Sequence, residues 1–521
     1  RELPTKNSNP NIQKNTAYDQ FDLFQKFTLK LPKDQLLNIN IQYSESSDID
    51  RYDKLVEQKN GSLRFSEWYY GPQKRFFISP QFKFFLGKEW MKKGTMTFAY
   101  QKVDESRVNR KFGEIIRSNK LESVDVFSLN ADFFGHSKGG HSYSYGLEWA
   151  QNKINSRAYA FDLELDFESI TGFINQRPIP SRYPDNGSSA TSFAIYLNWI
   201  YELNKRLNLN AGLRLTSSSL NGNWNKIASV DKLLSSVKLD SEALTYTLAI
   251  TYRPNKKLQI NGLLSSGFRN PNIDDIGKIR ENNGILLVPN SFLKPEYAYT
   301  FESGIKIRSN NQKSYFDLRG YSTLVSRHIV RSNFIVFSDT STEDQNTIIY
   351  NGDEVLTQAN KNLGNRFIYG LCVESKLSLG NLMKLYGGVN FTSSDKSSDY
   401  GPMPSIAPFF GTFTFSRQYR KWSHFLIWKF SASKKPRDFS WGGEDGLNET
   451  PIIDPNASLE IDRFYGMPSW NSFSLLAQYF FNENIKLTLG LNNIFDIHYR
   501  TFASGISSEG RSFQLGVKVK F

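Results

Sequence analysis

From residue 19 to the end of this chain, about nineteen stretches set an apolar side chain on every second position, and the links between them alternate between short and long. In the run 485–491, Ile485, Leu487, Leu489 and Leu491 alternate with Lys486, Thr488 and Gly490. At the end, Phe513, Leu515, Val517, Val519 and Phe521 alternate with Gln514, Gly516, Lys518 and Lys520. A period of two belongs to a strand with one greasy and one wet face, and almost no stretch fits helical spacing. The short links include "PKDQ" (32–35), "NKR" (204–206), "LGNL" (379–382) and "FNEN" (481–484). The long ones occupy 44–74, 157–187, 218–240, 269–297, 326–363 and 434–470.

Tight turns on one rim and long loops on the other describe an outer-membrane barrel, with turns periplasmic and loops outside. Many strands without intervening helices exclude a parallel α/β fold, and a string of β-sandwiches would not order its loops so regularly. The chain is 39% hydrophobic yet 15% aromatic. It holds no apolar run of about 18 residues, which excludes a helical membrane span. Alternation, by contrast, halves the apparent hydrophobicity of every strand that crosses lipid. The expected fold is all-β: a transmembrane antiparallel β-barrel over residues 19–521, preceded by a lead-in segment, 1–18, at the extracellular rim. With turns periplasmic, the first and last strands both run inward, which implies an odd strand count, whereas single-chain bacterial barrels usually have an even one. Either an odd number of strands precedes residue 1, or a strand is hidden in 157–187 or 328–351.

Cys372 is the single cysteine, so neither a disulfide framework nor a cysteine metal site is available. The opening "RELPTKNSNPNIQKNT" has no apolar h-region of a signal peptide. The net charge of +13 suits an anionic solute, lipopolysaccharide or simply a solvated surface. Basic residues are spread along the chain without a zinc, helix-turn-helix or RNA-binding signature, so nucleic acid is not an expected partner. No Ser-His-Asp or HExxH arrangement and no phosphate loop appears, so no enzymatic activity is expected.

Candidate ligand residues cluster in the long loops. Arg51, Tyr52, Trp68, Tyr69 and Tyr70 set rings beside cations, as a flat anionic ligand or a protein partner requires, and as an interfacial aromatic belt equally does. Arg269, Asn270, Asn272 and Asn290 open and close one long loop, where they fix its conformation or touch the ligand. Of five His, His328 and His498 fall near the outer rim, His136 and His141 in a tight periplasmic turn, and His424 in the wall.

Three stretches resemble TonB-dependent outer-membrane receptors: "SSGFRNPNIDDIGKI" (265–279), with its Phe-Arg-x-Pro motif; "NSFLKPEYAYTFESGIK" (290–306), similar to Asn-Pro-x-Leu-Lys-Pro-Glu with Ser291 in place of the Pro; and the closing 491–521. With "DLFQKFTLKL" (22–31), "SSDIDRYDKLVE" (46–57) and "LRFSEWYYGPQKR" (63–75), the likeness covers nearly the whole chain. The resemblance implies a barrel of about 22 strands around a plug. It also implies a plug-borne contact with the TonB–ExbB–ExbD complex, and solute import without catalysis. No plug is recognisable in residues 1–18, so the plug and roughly three strands are expected outside the chain. Phe521 resembles the terminal aromatic read by the outer-membrane assembly machinery. The two loop motifs look most like receptors for haem and haem proteins of the Bacteroidetes type, although 270–289 lacks the axial His such receptors often place there.

The expected cargo is therefore haem, free or on a haem protein, as transported ligand rather than cofactor; it wants His or Tyr at the iron and Arg or Lys at its propionates. A ferric-siderophore or cobalamin-type importer, or a plugless pore or docking platform, are the alternatives. Outer-membrane lipid, lipopolysaccharide and a surface lipoprotein complete the implied partners.

Overall fold

The computed structural model describes residues 6–9, 11–59, 61–166, 169–225, 236–282, 284–335, 347–350, 353–397, 401–441 and 445–520. Its main element is one sheet of 22 strands. Three of these, Ile49–Asp50, Phe65–Tyr70 and Ser169–Pro178, are side pairings beyond the wall. The remaining nineteen among the described residues pair antiparallel in chain order, from Gln20–Leu31 to Ser512–Val519. Each apolar-alternating stretch of the sequence overlaps one of them. Strands do occur within 157–187 and 328–351, yet they pair beyond the wall and do not enter it. The ladder of Lys74–Phe85 on Lys93–Lys111 is interrupted at Ser79 and Pro80, where proline has no N–H to donate.

The wall wears its apolar side outward. On Ser236–Tyr252, Leu248 is 53% exposed and Ala243, on the other face, 5%. Phe193, Ile195, Leu213 and Leu215 on the neighbouring strands continue the band. So large an exposed apolar surface is stable only against lipid. Phe513, Leu515 and Val517 are exposed in the same way. Gln20–Leu31 and Ser512–Val519 are each paired on one side, and no ladder among the described residues joins them. Phe521 lies outside the described residues.

Several long links are shorter than the alternation suggested. Ile116–His136 and His141–Asp166 run for 21 and 26 residues, against about 9–11 needed to cross a bilayer. Residues 218–223 likewise pair with 236–241. Above the membrane a strand needs no apolar face, so its hydrogen-bonded ladder continues after its sequence signal has ended.

At the short-turn rim the His141 ring stacks on Tyr201 at 4.3 Å, and Trp199 Nε1–H donates to His141 Nδ1 at 3.1 Å. His136 Nδ1 lies 2.9 Å from Ser142 Oγ, and His424 stacks on Trp422.

The buried core sits at the other rim, among the loops. Ile276, Leu286 and Ala359 are wholly buried there, with Leu293, Val288 and Val355, against the outer ends of wall strands at Leu220 and Val237. A small sheet orders this cap, with strands Arg280–Asn282, Ile285–Leu287, Asp353–Asn362 and Ile329–Asn333 side by side; Thr347–Tyr350 also pairs with Asp353–Asn362.

Candidate functional site

Strand alternation gives the cap sheet two unlike faces. Val355, Thr357 and Ala359 are buried against the loop core, so Gln358 and Asn360 point the other way. The register sets Arg280 opposite Leu287, Leu287 opposite Gln358, and Arg331 opposite Asn360. Two arginines from the two outer strands of the sheet therefore share the face away from the core. That face lines a cavity of about 750 Å³, completed by Arg269, His328, Arg366 and Trp441.

The four arginines of this cavity are not equivalent. Arg269 is held by Asp275 at 2.7 Å and Glu296 at 3.0 Å. Arg366 is buried, bonded to Asp395 at 3.2 Å and to the Gly401 carbonyl at 3.1 Å. Arg280 and Arg331 have no carboxylate within ion-pair reach among the described residues, and Arg331 Nε is shielded from solvent without a hydrogen-bond acceptor. The Arg280 side chain remains accessible, yet surrounding protein depresses its guanidinium below the ordinary value; repulsion from Arg331 and Arg64 adds to this, and Asp274, which also lines the cavity, opposes it. Guanidinium groups crowded together with no carboxylate bonded to either favour an incoming anion.

The motif residues build the frame around this cavity. Asn272 caps the short helix Ile273–Ile276: its Oδ1 accepts the Asp275 amide at 3.0 Å, and Asp275 Oδ2 accepts the Asn272 amide at 2.9 Å. Asp275 then takes Arg269, so one carboxylate joins the cap to the strand end. Asn270 Oδ1 accepts Ser241 Oγ–H at 2.9 Å. Asn290 is buried; its Nδ2 donates to the Asn360 carbonyl at 2.7 Å and its Oδ1 accepts the Phe292 amide at 3.0 Å. Of the four, only Arg269 lines the cavity.

His328 lines the cavity but is 6% exposed, with Nδ1 3.7 Å from Glu296 Oε1. Burial lowers its pKa first; Glu296 and Asp395 oppose this, and Arg366 and Arg269 reinforce it. The folded cap thus binds fewer protons than the unfolded one below the ordinary histidine pKa of about 6.5, and its stability rises with pH there and is lost on acidification. Amide protection factors across Ile329–Asn333, corrected for the intrinsic pH dependence of exchange, are expected to be lower at pH 5 than at pH 7.5, with His328→Gln removing most of that difference. Equal protection factors in the unsubstituted protein would refute this assignment.

The aromatic group of the first long loop is satisfied internally. Arg51 bridges Asp53 at 2.5 Å and donates to Tyr70 Oη at 2.6 Å. Its guanidinium packs on Trp68 and Tyr70, with centroids 4.9 and 5.5 Å away. Tyr69 bonds Arg117, and Tyr52 opens the helix Tyr52–Leu55. His498 lies apart from His328, in a second cavity of about 470 Å³, with Nε2 2.8 Å from Ser507 Oγ and Trp470 stacked on Tyr499 at 4.3 Å nearby. No group of three or more metal-ligating side chains occurs among the described residues.

Arg280, Arg331, Arg366 and Trp441 were not distinguished by sequence. They are ordinary members of a set of 64 Lys and Arg and 9 Trp, and only the register of the cap sheet and the packing around it bring them together.

Comparison with known proteins agrees with this architecture. The chain is 22% identical over 437 residues to hemoglobin-haptoglobin utilization protein B of Neisseria meningitidis serogroup C, covering 78% of this chain and 53% of the relative. It is 26% identical over 163 residues to the hemoglobin and hemoglobin-haptoglobin-binding protein of Haemophilus ducreyi, covering 30% of this chain and 16% of that one. The chain thus spans about half the length of the Neisseria relative. Among solved structures, the copper transporter OprC superposes with a TM-score of 0.70 at 14% identity, over 97% of this chain and 74% of that one. The Serratia marcescens hemophore receptor HasR, in complex with its hemophore HasA and heme, gives 0.65 at 16% identity, over 97% and 72%. The profile of the TonB dependent receptor-like, beta-barrel family matches residues 5–494. This chain belongs to that family, whose barrels lie in the outer membrane of Gram-negative bacteria.

Proposed function

We propose that the protein captures an iron-bearing solute, haem free or carried by a haem protein, at its loop cap and admits it with energy from the TonB–ExbB–ExbD complex. The observation that carries this reading is the cavity of about 750 Å³ among the outer loops, where neither Arg280 nor Arg331 is ion-paired to a carboxylate among the described residues. The Neisseria and Haemophilus relatives, a hemoglobin-haptoglobin utilization protein and a hemoglobin and hemoglobin-haptoglobin-binding protein, favour haem as the cargo. Energy coupling needs a plug, which this reading assigns to the part of the relatives' length that the match leaves uncovered. The wall's outward apolar band is the surface for membrane lipid, with lipopolysaccharide above it. Siderophore receptors also share the fold, and an anionic ferric siderophore is the second reading, favoured by the same pair of arginines.

The test is titration of the full-length receptor with haemin, beside growth of a deletion strain on haem as sole iron source. A Soret shift and a growth defect are expected. An unchanged Soret band with undiminished growth removes haem and leaves the siderophore reading.

A further inference from the structure

The cavity has three surfaces of different chemistry, and together they select a shape. Its cationic surface is the face of the cap sheet, where Arg280 and Arg331 enter from opposite edge strands across Leu287 and Gln358. An arginine fork matches a carboxylate with two parallel hydrogen bonds, and two forks set apart match two carboxylates on one rigid body.

The flat apolar surface is Trp441 with Pro402 and Pro404. Gly401 has φ +67, and a Cβ built on it would meet the indole carbons at 2.5 Å. The indole is therefore seated on bare backbone. It nevertheless remains 63% exposed, and so has ring surface to offer an incoming ligand.

The third surface is the floor, which carries the cavity's only imidazole among the described residues. His328 is buried with Nδ1 beside Glu296, and no Tyr, Cys or Met lines the cavity. The floor therefore holds the frame together and presents no exposed imidazole, phenol or thiol to a haem iron. A volume of about 750 Å³ lies within the usual range for a small-molecule site.

Resting on the haem reading above, we propose that this cavity recognises the periphery of a planar tetrapyrrole dicarboxylate and not its metal. Arg280 and Arg331 take the two carboxylates, and Trp441 takes the ring face. The affinity is then set by charge and stacking, and an iron-free ring binds as the iron-bearing one does.

The experiment compares haemin, iron-free protoporphyrin IX and haemin dimethyl ester on the full-length receptor in detergent micelles, read by tryptophan quenching. Haemin and protoporphyrin IX are expected to bind within about threefold of each other. The ester should bind about a hundredfold more weakly, since each lost charge-assisted pair is worth about tenfold. Arg280→Glu/Arg331→Glu should lose both acids to the same extent, and Arg280→Lys/Arg331→Lys should recover much of the loss. Trp441→Ala should weaken all three ligands by about tenfold. Retained protection of the Ile285–Leu287 and Asp353–Asn362 amides shows that the cap of each variant is folded, and the heat-modifiable gel shift shows the same of its barrel.

An ester as tight as its acid, or undiminished binding by Arg280→Glu/Arg331→Glu, overturns the assignment while leaving haem as cargo. Protoporphyrin IX failing where haemin binds also overturns it and makes iron ligation the basis of recognition. Haemin and protoporphyrin IX both failing overturns the haem reading itself.

Discussion

Replacing Asp445 by alanine is expected to destabilise the outer loops by about 3–5 kcal/mol while leaving the wall intact. Its carboxylate is 2% exposed and Lys434 6%. Oδ2 accepts Lys434 Nζ–H at 3.1 Å and the Ser440 amide at 3.2 Å, and Oδ1 accepts the Ser405 amide at 2.8 Å. Lys434 also donates to the Ile406 carbonyl and lies over the Phe502 ring, 4.3 Å from its centroid. One carboxylate thus ties the loop that begins at Lys434 to itself and to Ser405 of the preceding loop, and its removal strands a buried ammonium with two backbone donors. Limited proteolysis should open the 401–446 region at protease concentrations that spare the parent. Lys434→Met/Asp445→Leu should restore most of the resistance, because an apolar pair of similar size leaves no buried charge unpaired. If the double variant is cleaved as fast as Asp445→Ala, the charge balance is not what holds these loops.

The second large effect is expected at Leu286. It is wholly buried, on the face of the cap sheet opposite Arg280 and Arg331. Leu286→Ala should cost about 2–5 kcal/mol through lost contacts and a cavity, and Leu286→Asp more, since a carboxylate there has no partner. The cap has its own core, so the loss should stay local. Amides of Ile285–Leu287 and Asp353–Asn362 should exchange rapidly, ligand binding should fall with them, and the heat-modifiable barrel should persist. Loss of the barrel together with the cap would show that the two fold as one unit, against this expectation.

The division between wall and cap also separates what was legible in the sequence from what was not. Strands with residues such as Leu213, Leu215, Leu244 and Leu248 could be read because lipid on one side and water on the other impose a period of two on every membrane crossing. Ile285–Leu287 and Asp353–Asn362 belong to no such crossing. Leu286, Val355 and Ala359 face a local core assembled from distant loops; 285–288 is a four-residue apolar run and 353–362 is mostly polar, so neither carries the alternation of a crossing. The family motif was visible at Arg269, Asn272 and Asn290, and those side chains prove to be fasteners of the cap. Arg51, Trp68 and Tyr70 were equally visible, and they are satisfied by one another.

The amino-acid sequence by itself determined the wall: its strand periodicity, its alternating turns and loops, and its membership of a membrane β-barrel class. These follow from short-range alternation, and each strand carries its own record of it. Only the tertiary structure decided the site. Arg280 and Arg331 become a pair because a parallel pairing of Ile285–Leu287 with Asp353–Asn362, and an antiparallel one with Ile329–Asn333, place two remote loops in one sheet with one shared face. Charge convergence of that kind depends on register between distant segments, and composition and local spacing carry no record of it.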